Sequence, residues 1–188
     1  MPTIQTDRLT IRPFTHEMML AALDDPAAAG ALLGLRVAAG WPNEAERGVL
    51  TFLAHQIERE PALSDWQMQI FIQTAEGIII GTGGFKGRPD KTGMVDLGYG
   101  IAPAYQGQDY ATEAATALVA WAFAQQGVRR IFADCLATNP ASARVLAKLG
   151  LRQLPPRGKY LNWELTAREY TTRRGSDRGA RGGRSPGL

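Results

Sequence analysis

Positions that alternate between apolar and polar residues mark short strands along this chain, and apolar positions three or four residues apart mark the helices between them. The predicted strands cover residues 9–14, 66–73, 78–85, 94–101, 130–136, 151–154 and 161–165. The predicted helices cover residues 15–23, 43–59, 111–126 and 139–149. This order predicts an α/β (α+β) fold with a mixed, mostly antiparallel sheet and helices on both of its faces.

Several helix boundaries are marked by capping residues. Asn43 followed by Glu46 resembles a capping box, in which each side chain bonds to the backbone N–H of the other residue. Asn139 followed by Pro140 is typical of an N-cap with proline at the first helical position. Residues 27–40 are rich in Ala, Gly and Leu, and they fit either a short helix or a loop.

The composition is that of one globular domain, since the 188 residues are 45% apolar and 21% charged. No apolar run is long enough to span a membrane, and the first residues lack a signal-peptide pattern, so a cytoplasmic protein is predicted. The single cysteine, Cys135, excludes an intramolecular disulfide and leaves no cysteine cluster for a metal. Its apolar neighbours predict a buried thiol.

The net charge of +3 is concentrated at the C-terminal end. Residues 171–188 hold five arginines against a single aspartate, so residues 1–170 are close to neutral. We therefore predict a folded domain over residues 1–170 and a disordered Gly/Arg-rich tail over residues 171–188. Nucleic acid is not expected as a partner, and weak contact of the tail with RNA is the alternative.

An anion site is predicted where the strand at 94–101 leads through a Pro- and Gly-containing turn into the helix at 111–126. The first turn of a helix has N–H groups without intrahelical partners, and the helix dipole adds partial positive charge there. Such an arrangement is most often used to bind phosphate or pyrophosphate.

Several motifs in a fixed order resemble the GCN5-related N-acetyltransferase (GNAT) family, and specifically its branch of ribosomal-protein N-terminal acetyltransferases. The motifs are RL and IRP within residues 8–13, DLGY at 96–99, YQGQ at 105–108, YATEA at 110–114, and Asn139 and Ser142 followed by RVL and KLG within residues 144–150. Together they cover roughly residues 6–166 of the chain.

This resemblance implies transfer of an acetyl group from acetyl-CoA to an amine, which would be a small molecule or a protein N-terminus. It implies that the strand at 94–101 diverges from its neighbour and that pantetheine lies in the gap beside Ile101. It places Asn139 on the pantetheine amide. The residues implied to hold the pyrophosphate are Gln106, Gly107, Gln108, Asp109, Tyr110, Ala111 and Thr112.

The resemblance also suggests groups for proton transfer. Asp96 is the candidate base, acting through a chain of water molecules, and its alternative role is that of a surface residue at a strand start. Ser142 is the candidate that protonates the departing thiolate, and its alternative role is that of an ordinary residue at a helix start. Tyr160 is a second candidate for this proton.

One residue departs from the family pattern, because Asp109 stands where the family turn has glycine. If the turn requires positive φ, aspartate tolerates it less well than glycine. A carboxylate beside a pyrophosphate also repels it. Alternatively, Asp109 caps the helix that begins at Tyr110. A protein of the same fold that binds a ligand or partner without catalysis is therefore the alternative function.

The acceptor is not fixed by the sequence. The segments expected to shape its site, residues 27–43, the helix that follows and residues 155–160, carry no acidic cluster that would attract a polyamine. A neutral or peptide-like acceptor is favoured. The oligomeric state is left open, a homodimer included.

Overall fold

The computed structural model describes residues 1–61, 66 and 68–181. Gln67 of a predicted strand and residues 182–188 of the predicted tail lie outside the described residues. The strands are β1 Ile4–Gln5, β2 Leu9–Pro13, β3 Arg36–Val37, β4 Gln69–Gln73, β5 Ile78–Phe85, β6 Met94–Ile101, β7 Arg130–Leu136, β8 Arg152–Arg157 and β9 Tyr160–Thr166. The helices are α1 His16–Asp24, α2 Pro26–Ala31, α3 Glu44–Arg59, α4 Tyr110–Phe123, α5 Pro140–Lys148 and α6 Ala167–Arg181.

The strands form one mixed sheet in the order β1-β2-β4-β5-β6-β7-β9-β8, with β3 beside β5. Among the strand pairs of the described residues, β3–β5 and β6–β7 are parallel and the others are antiparallel. Every residue of β4 and β5 is buried, and because side chains alternate between the two faces of a sheet, both faces are covered there. The predicted fold class is confirmed, and the apolar and polar residues of β4 are all buried.

The sheet opens between β6 and β7. These strands pair only at their beginnings, where Met94, Val95 and Asp96 lie opposite Arg130, Ile131 and Phe132. From Gly98 to Ile101, β6 pairs with β5 alone. The backbone of β6 therefore has one edge without a strand neighbour, as the resemblance implies for the pantetheine gap.

The capping residues lie where the sequence predicts them. Asn43 and Glu46 form a complete capping box at the start of α3, and the Asn139 side chain accepts the N–H of Ser142 at the start of α5. Residues 27–40, for which the sequence fits either a short helix or a loop, contain most of α2 and the short strand β3. The predicted helix at 111–126 ends earlier, at Phe123. The N–H groups of the next two residues bond to carbonyl groups three residues back, whereas α-helical bonds reach four residues back.

Helix α6 continues through residues 171–181, the first part of the segment whose composition predicts disorder. The helix begins with a second capping box, in which Thr166 and Glu169 exchange bonds, and Tyr170 stacks on Phe123 at 4.7 Å. Strand β8 extends to Arg157, through a register shift after Leu154, and so runs beyond the predicted strand end at residue 154.

Cys135 is buried on β7, as predicted. Within residues 1–61, 66 and 68–181, no helix is both long and apolar enough to cross a membrane.

Candidate functional site

A cavity of about 560 Å³ lies between the open edge of β6, the N-terminus of α4 and helix α5. Its lining includes most of the residues that the sequence places at the site: Ile101, Gln106, Gly107, Asp109, Tyr110, Ala111, Thr112, Asn139 and Ser142. The three exceptions are Gln108, Asp96 and Tyr160.

The turn before α4 is shaped by its glycine and by side-chain bonds to the backbone. Gly107 has φ 72°, in the region where glycine is favoured. The Gln106 amide donates to the carbonyl of Ile101 at 2.8 Å, which ties the turn to the end of β6. The first intrahelical bond of α4 runs from Glu113 N–H to Asp109 O. The earlier N–H groups of the first turn therefore have no intrahelical carbonyl to bind.

A cluster of bonds around Glu113 holds this turn against the N-terminal strand. The Glu113 carboxylate accepts bonds from Thr6 Oγ1 at 2.6 Å, Arg8 N at 2.8 Å and Arg8 Nε at 2.7 Å. Arg8 also donates to the carbonyl of Gln108 and lies over the Tyr110 ring, 4.2 Å from its centre. Burial raises the pKa of Glu113, but the bonds from Thr6 and Arg8 outweigh it, so the pKa lies below its ordinary value.

Asp109 adopts the left-handed conformation that glycine has in the family pattern, with φ 63°. Its side chain makes no cap bond to α4, so the alternative of a side-chain helix cap is wrong. Instead, its carboxylate meets Lys148 Nζ at 2.5 Å across the cavity. The hydrogen bond and charge of Lys148 hold the pKa of Asp109 below its ordinary value. The negative charge predicted to repel a pyrophosphate is therefore paired.

Two cations from α5 line the cavity, and the sequence reasoning gave neither a role. Arg144 and Lys148 are four residues apart, so they lie on one face of the helix. Thr112, in the first turn of α4, also lines the cavity, and its hydroxyl lies close enough to the Asp109 carboxylate to help lower the pKa of Asp109. Cations and free N–H groups are the donors that a diphosphate requires, so the site fits coenzyme A.

Ser142 has a hydroxyl partner that the sequence did not suggest. Its Oγ lies 3.1 Å from the hydroxyl of Tyr99, on β6, and both residues line the cavity. Burial raises the pKa of Tyr99 to about 12, opposed by the bond to Ser142. This hydroxyl pair is therefore neutral at physiological pH and can donate a proton. Tyr160, the other candidate donor, lies at the start of β9 and does not line this cavity.

Asp96, the candidate base, is held in an ion pair. Its Oδ2 accepts a bond from Lys86 Nζ at 2.8 Å, and the same ammonium reaches Asp134 at 3.3 Å. Burial raises the pKa of Asp96, and Lys86 opposes the rise. Asp96 does not line this cavity, so its role as a base stays a prediction that requires a chain of water molecules.

A second cavity, of about 230 Å³, lies between α3, β5 and β6 and reaches α5. The residues that line both cavities are Ala45, Glu46, Tyr99, Gly100 and Ser142. The two spaces therefore meet at the open edge of β6. Sequence reasoning recognised Glu46 only as a capping residue, because the capping pattern accounted fully for its position.

Comparison with known proteins gives the same result as the geometry. The family model described as "Acetyltransferase (GNAT) domain" matches residues 8–152. The uncharacterized N-acetyltransferase YjdG of Bacillus subtilis is 26% identical over 163 residues, which are 87% of this chain and 97% of that protein.

Solved structures share the fold. The ribosomal-protein-S5-alanine acetyltransferase of Vibrio fischeri superposes with a TM-score of 0.63 at 18% identity, covering 88% of this chain and 96% of that one. RimL, a ribosomal L7/L12 alpha-N-protein acetyltransferase in complex with coenzyme A, gives a TM-score of 0.57 at 16% identity, covering 86% and 95%. The chain therefore belongs to the GNAT family of acetyltransferases, and its enzyme class is that of acetyl-CoA-dependent acyltransferases.

Proposed function

We propose that this protein transfers the acetyl group of acetyl-CoA directly to the amine of a small molecule or a protein N-terminus. The observation that carries the proposal is that the cavity at the α4 N-terminus meets a second cavity at the open edge of β6. A thioester that enters from one side and an amine that enters from the other would come together there.

The coenzyme would be held by three parts of the first cavity. Its pantetheine would bond to the free edge of β6 near Ile101, and Asn139 would donate its side-chain amide while its oxygen caps α5. The pyrophosphate would lie on the turn from Gln106 to Thr112, next to Arg144. Bound there, the coenzyme supplies the acetyl group as a reactive thioester.

Ser142 is the proposed proton donor to the departing thiolate. Its bond to Tyr99 supports this role, because two linked hydroxyls can pass a proton from one to the other. Asp96 is retained as a candidate base that acts through water. It lines neither cavity, but Lys86, which bonds to it, lines the second one.

Several further assignments belong to the same proposal. Residues 1–170 would form the acyltransferase domain, located in the cytoplasm, without a nucleic-acid partner. A homodimer is compatible with this function. The related structures are named for acceptors that are ribosomal proteins, and those names support an amine acceptor in general terms.

The alternative is a member of the fold that binds a ligand or partner without catalysis. The observation that favours it is Asp109, whose ion pair with Lys148 lies in the coenzyme cavity. If this pair does not separate or shift when the nucleotide enters, the coenzyme cannot bind.

The two functions are separated by an acetylation assay. The purified protein would be incubated with acetyl-CoA and a panel of amines and N-terminal peptides. Release of free thiol and the mass of the products would be measured. We expect acetylated product with at least one acceptor. Binding of acetyl-CoA without turnover of any acceptor supports the alternative.

A further inference from the structure

Glu46 occupies the place where the two cavities meet. It lies in the first turn of α3, lines both cavities and is only 9% exposed. Its carboxylate is directed at the backbone of Gly100 on β6, since a Cβ built on Gly100 would collide with Glu46 Oε1. A carboxylate therefore abuts the strand along which the pantetheine would lie.

Only one oxygen of this carboxylate is used by the capping box. Glu46 Oε2 accepts the N–H of Asn43 at 2.8 Å. Glu46 Oε1 is buried and makes no hydrogen bond of ordinary geometry among the described residues, although the buried Thr82 hydroxyl lies close enough to help lower the pKa of Glu46. A buried acceptor without a full partner is costly, so such groups in native proteins commonly have a functional reason. Burial, the larger effect, raises the pKa of Glu46 above its ordinary value against the bonds from Asn43 and Thr82, so the carboxylate is a stronger base.

The second cavity is suited to an apolar group. Most of the surface that lines it is apolar. The apolar side chains there include Val49, Leu53, Met68, Phe85, Leu97, Ala133 and Leu146. The charged residues Lys86 and Asp134 also line it, but they are paired with each other at 3.3 Å. Together with Tyr99, they are the titratable groups that share this cavity with Glu46.

We propose that the second cavity is the acceptor site, that it takes a primary amine attached to an uncharged apolar group, and that Glu46 is the base that accepts the proton of that amine. This inference rests on the proposed acetyl transfer and names its acceptor class and a catalytic residue.

The reaction balances with these groups. The nitrogen lone pair of the neutral amine attacks the thioester carbonyl carbon, so a C–N bond forms. The proton released from nitrogen goes to Glu46 Oε1. The C–S bond breaks with its electron pair on sulfur, and the thiolate takes a proton from the Ser142–Tyr99 hydroxyl pair. Glu46 then releases its proton to solvent, and the hydroxyl pair regains one proton from solvent, so the protein returns to its starting state.

The test compares Glu46→Gln with Glu44→Gln in the full chain. Glutamine keeps an oxygen for the Asn43 bond but cannot accept a proton from the amine. Glu44 is an exposed carboxylate in the same helical turn, so its variant removes the same charge without entering either cavity. Phenethylamine serves as the apolar acceptor and spermidine as the charged one, and acetyl-CoA binding is measured separately by calorimetry.

We expect the wild type to acetylate phenethylamine in preference to spermidine. Glu46→Gln should lose roughly 100-fold or more in kcat, and Glu44→Gln should keep its activity. Acetyl-CoA should bind Glu46→Gln as it binds the wild type, which shows that the variant is folded. The wild-type kcat should level off above the pKa of Glu46, whereas the residual kcat of Glu46→Gln should keep rising with pH.

Other results overturn the inference. Full activity of Glu46→Gln, or loss of activity in Asp96→Asn alone, would remove Glu46 as the base. Preference for spermidine, or acetyl-CoA binding without turnover of phenethylamine, would remove the apolar acceptor class. A wild type that does not bind acetyl-CoA would instead overturn the proposed function itself.

Discussion

Asp109 Oδ1 lies 2.5 Å from Lys148 Nζ, so an ion pair joins the N-terminus of α4 to the last turn of α5. Asp109 is also the one residue other than glycine that has positive φ within the described residues. The turn therefore keeps the backbone conformation of the family pattern, although Asp109 adds a negative charge that glycine would not carry. Lys148 compensates that charge at the place where a diphosphate would lie.

Lys148→Met should weaken acetyl-CoA binding by about tenfold, because it removes a cation and leaves the Asp109 carboxylate unpaired. In the Asp109→Gly background, the same change should cost only about threefold, since no carboxylate is left to repel the phosphates. Calorimetric titration of the four proteins measures both effects, with Lys91→Met as a control for net charge. Equal losses in the two backgrounds would show that the ion pair has no influence on binding.

Glu113→Gln should lower Tm by about 3 °C at pH 7, because it weakens the bonds that join Arg8 and Thr6 to the turn before α4. The folded pKa of Glu113 lies below the ordinary value of 4.5, so its stabilisation is present above that pH and is lost as the pH falls through the folded pKa. The difference in Tm should therefore shrink as the pH is lowered from 7 to 3.

Thermal unfolding over this pH range checks the prediction for Glu113. Glu17→Gln, an exposed carboxylate in the first turn of α1, is the matched control and should leave Tm unchanged. A difference in Tm that stays constant down to pH 3 would mean that the charge of Glu113 does not contribute.

Gly100→Ala should reduce kcat strongly and lower Tm by a few degrees. The added methyl group would collide with the Glu46 side chain, so the carboxylate would leave its place between the cavities and its capping bond to Asn43 would weaken. A Cβ built on Gly98 meets no atom within 4 Å, so Gly98→Ala should keep kcat while the methyl group narrows the acceptor cavity and raises KM for the amine. Steady-state kinetics on both variants distinguishes the two effects, and similar kcat values would contradict the position assigned to Glu46.

The sequence predicted those features that depend on neighbouring residues. The capping box of Asn43 and Glu46, the cap at Asn139 and the turn before α4 are local patterns, and the structure contains each of them. Reasoning from neighbouring residues did not predict α6. The Gly/Arg-rich composition of the tail was given more weight than the capping box formed by Thr166 and Glu169.

Features that depend on distant residues could not be predicted in this way. The pairing of Lys86 with Asp96, of Lys148 with Asp109 and of Tyr99 with Ser142 joins segments that only the folded sheet brings together. Glu46 shows the limit most clearly. Its local role as a cap was recognised, but its contact with Gly100, 54 positions along the chain, requires the packing of α3 on β6.

Calorimetric titration of the wild-type chain with acetyl-CoA tests the central claim most directly, namely that the turn at α4 and the cations of α5 hold the coenzyme. We predict saturable binding at one site per chain with a micromolar Kd, and an affinity of Asp109→Gly within about tenfold of the wild type because Lys148 already neutralises the carboxylate. No binding by the wild type, together with micromolar binding by Asp109→Gly, would contradict the account and show that Asp109 closes the site.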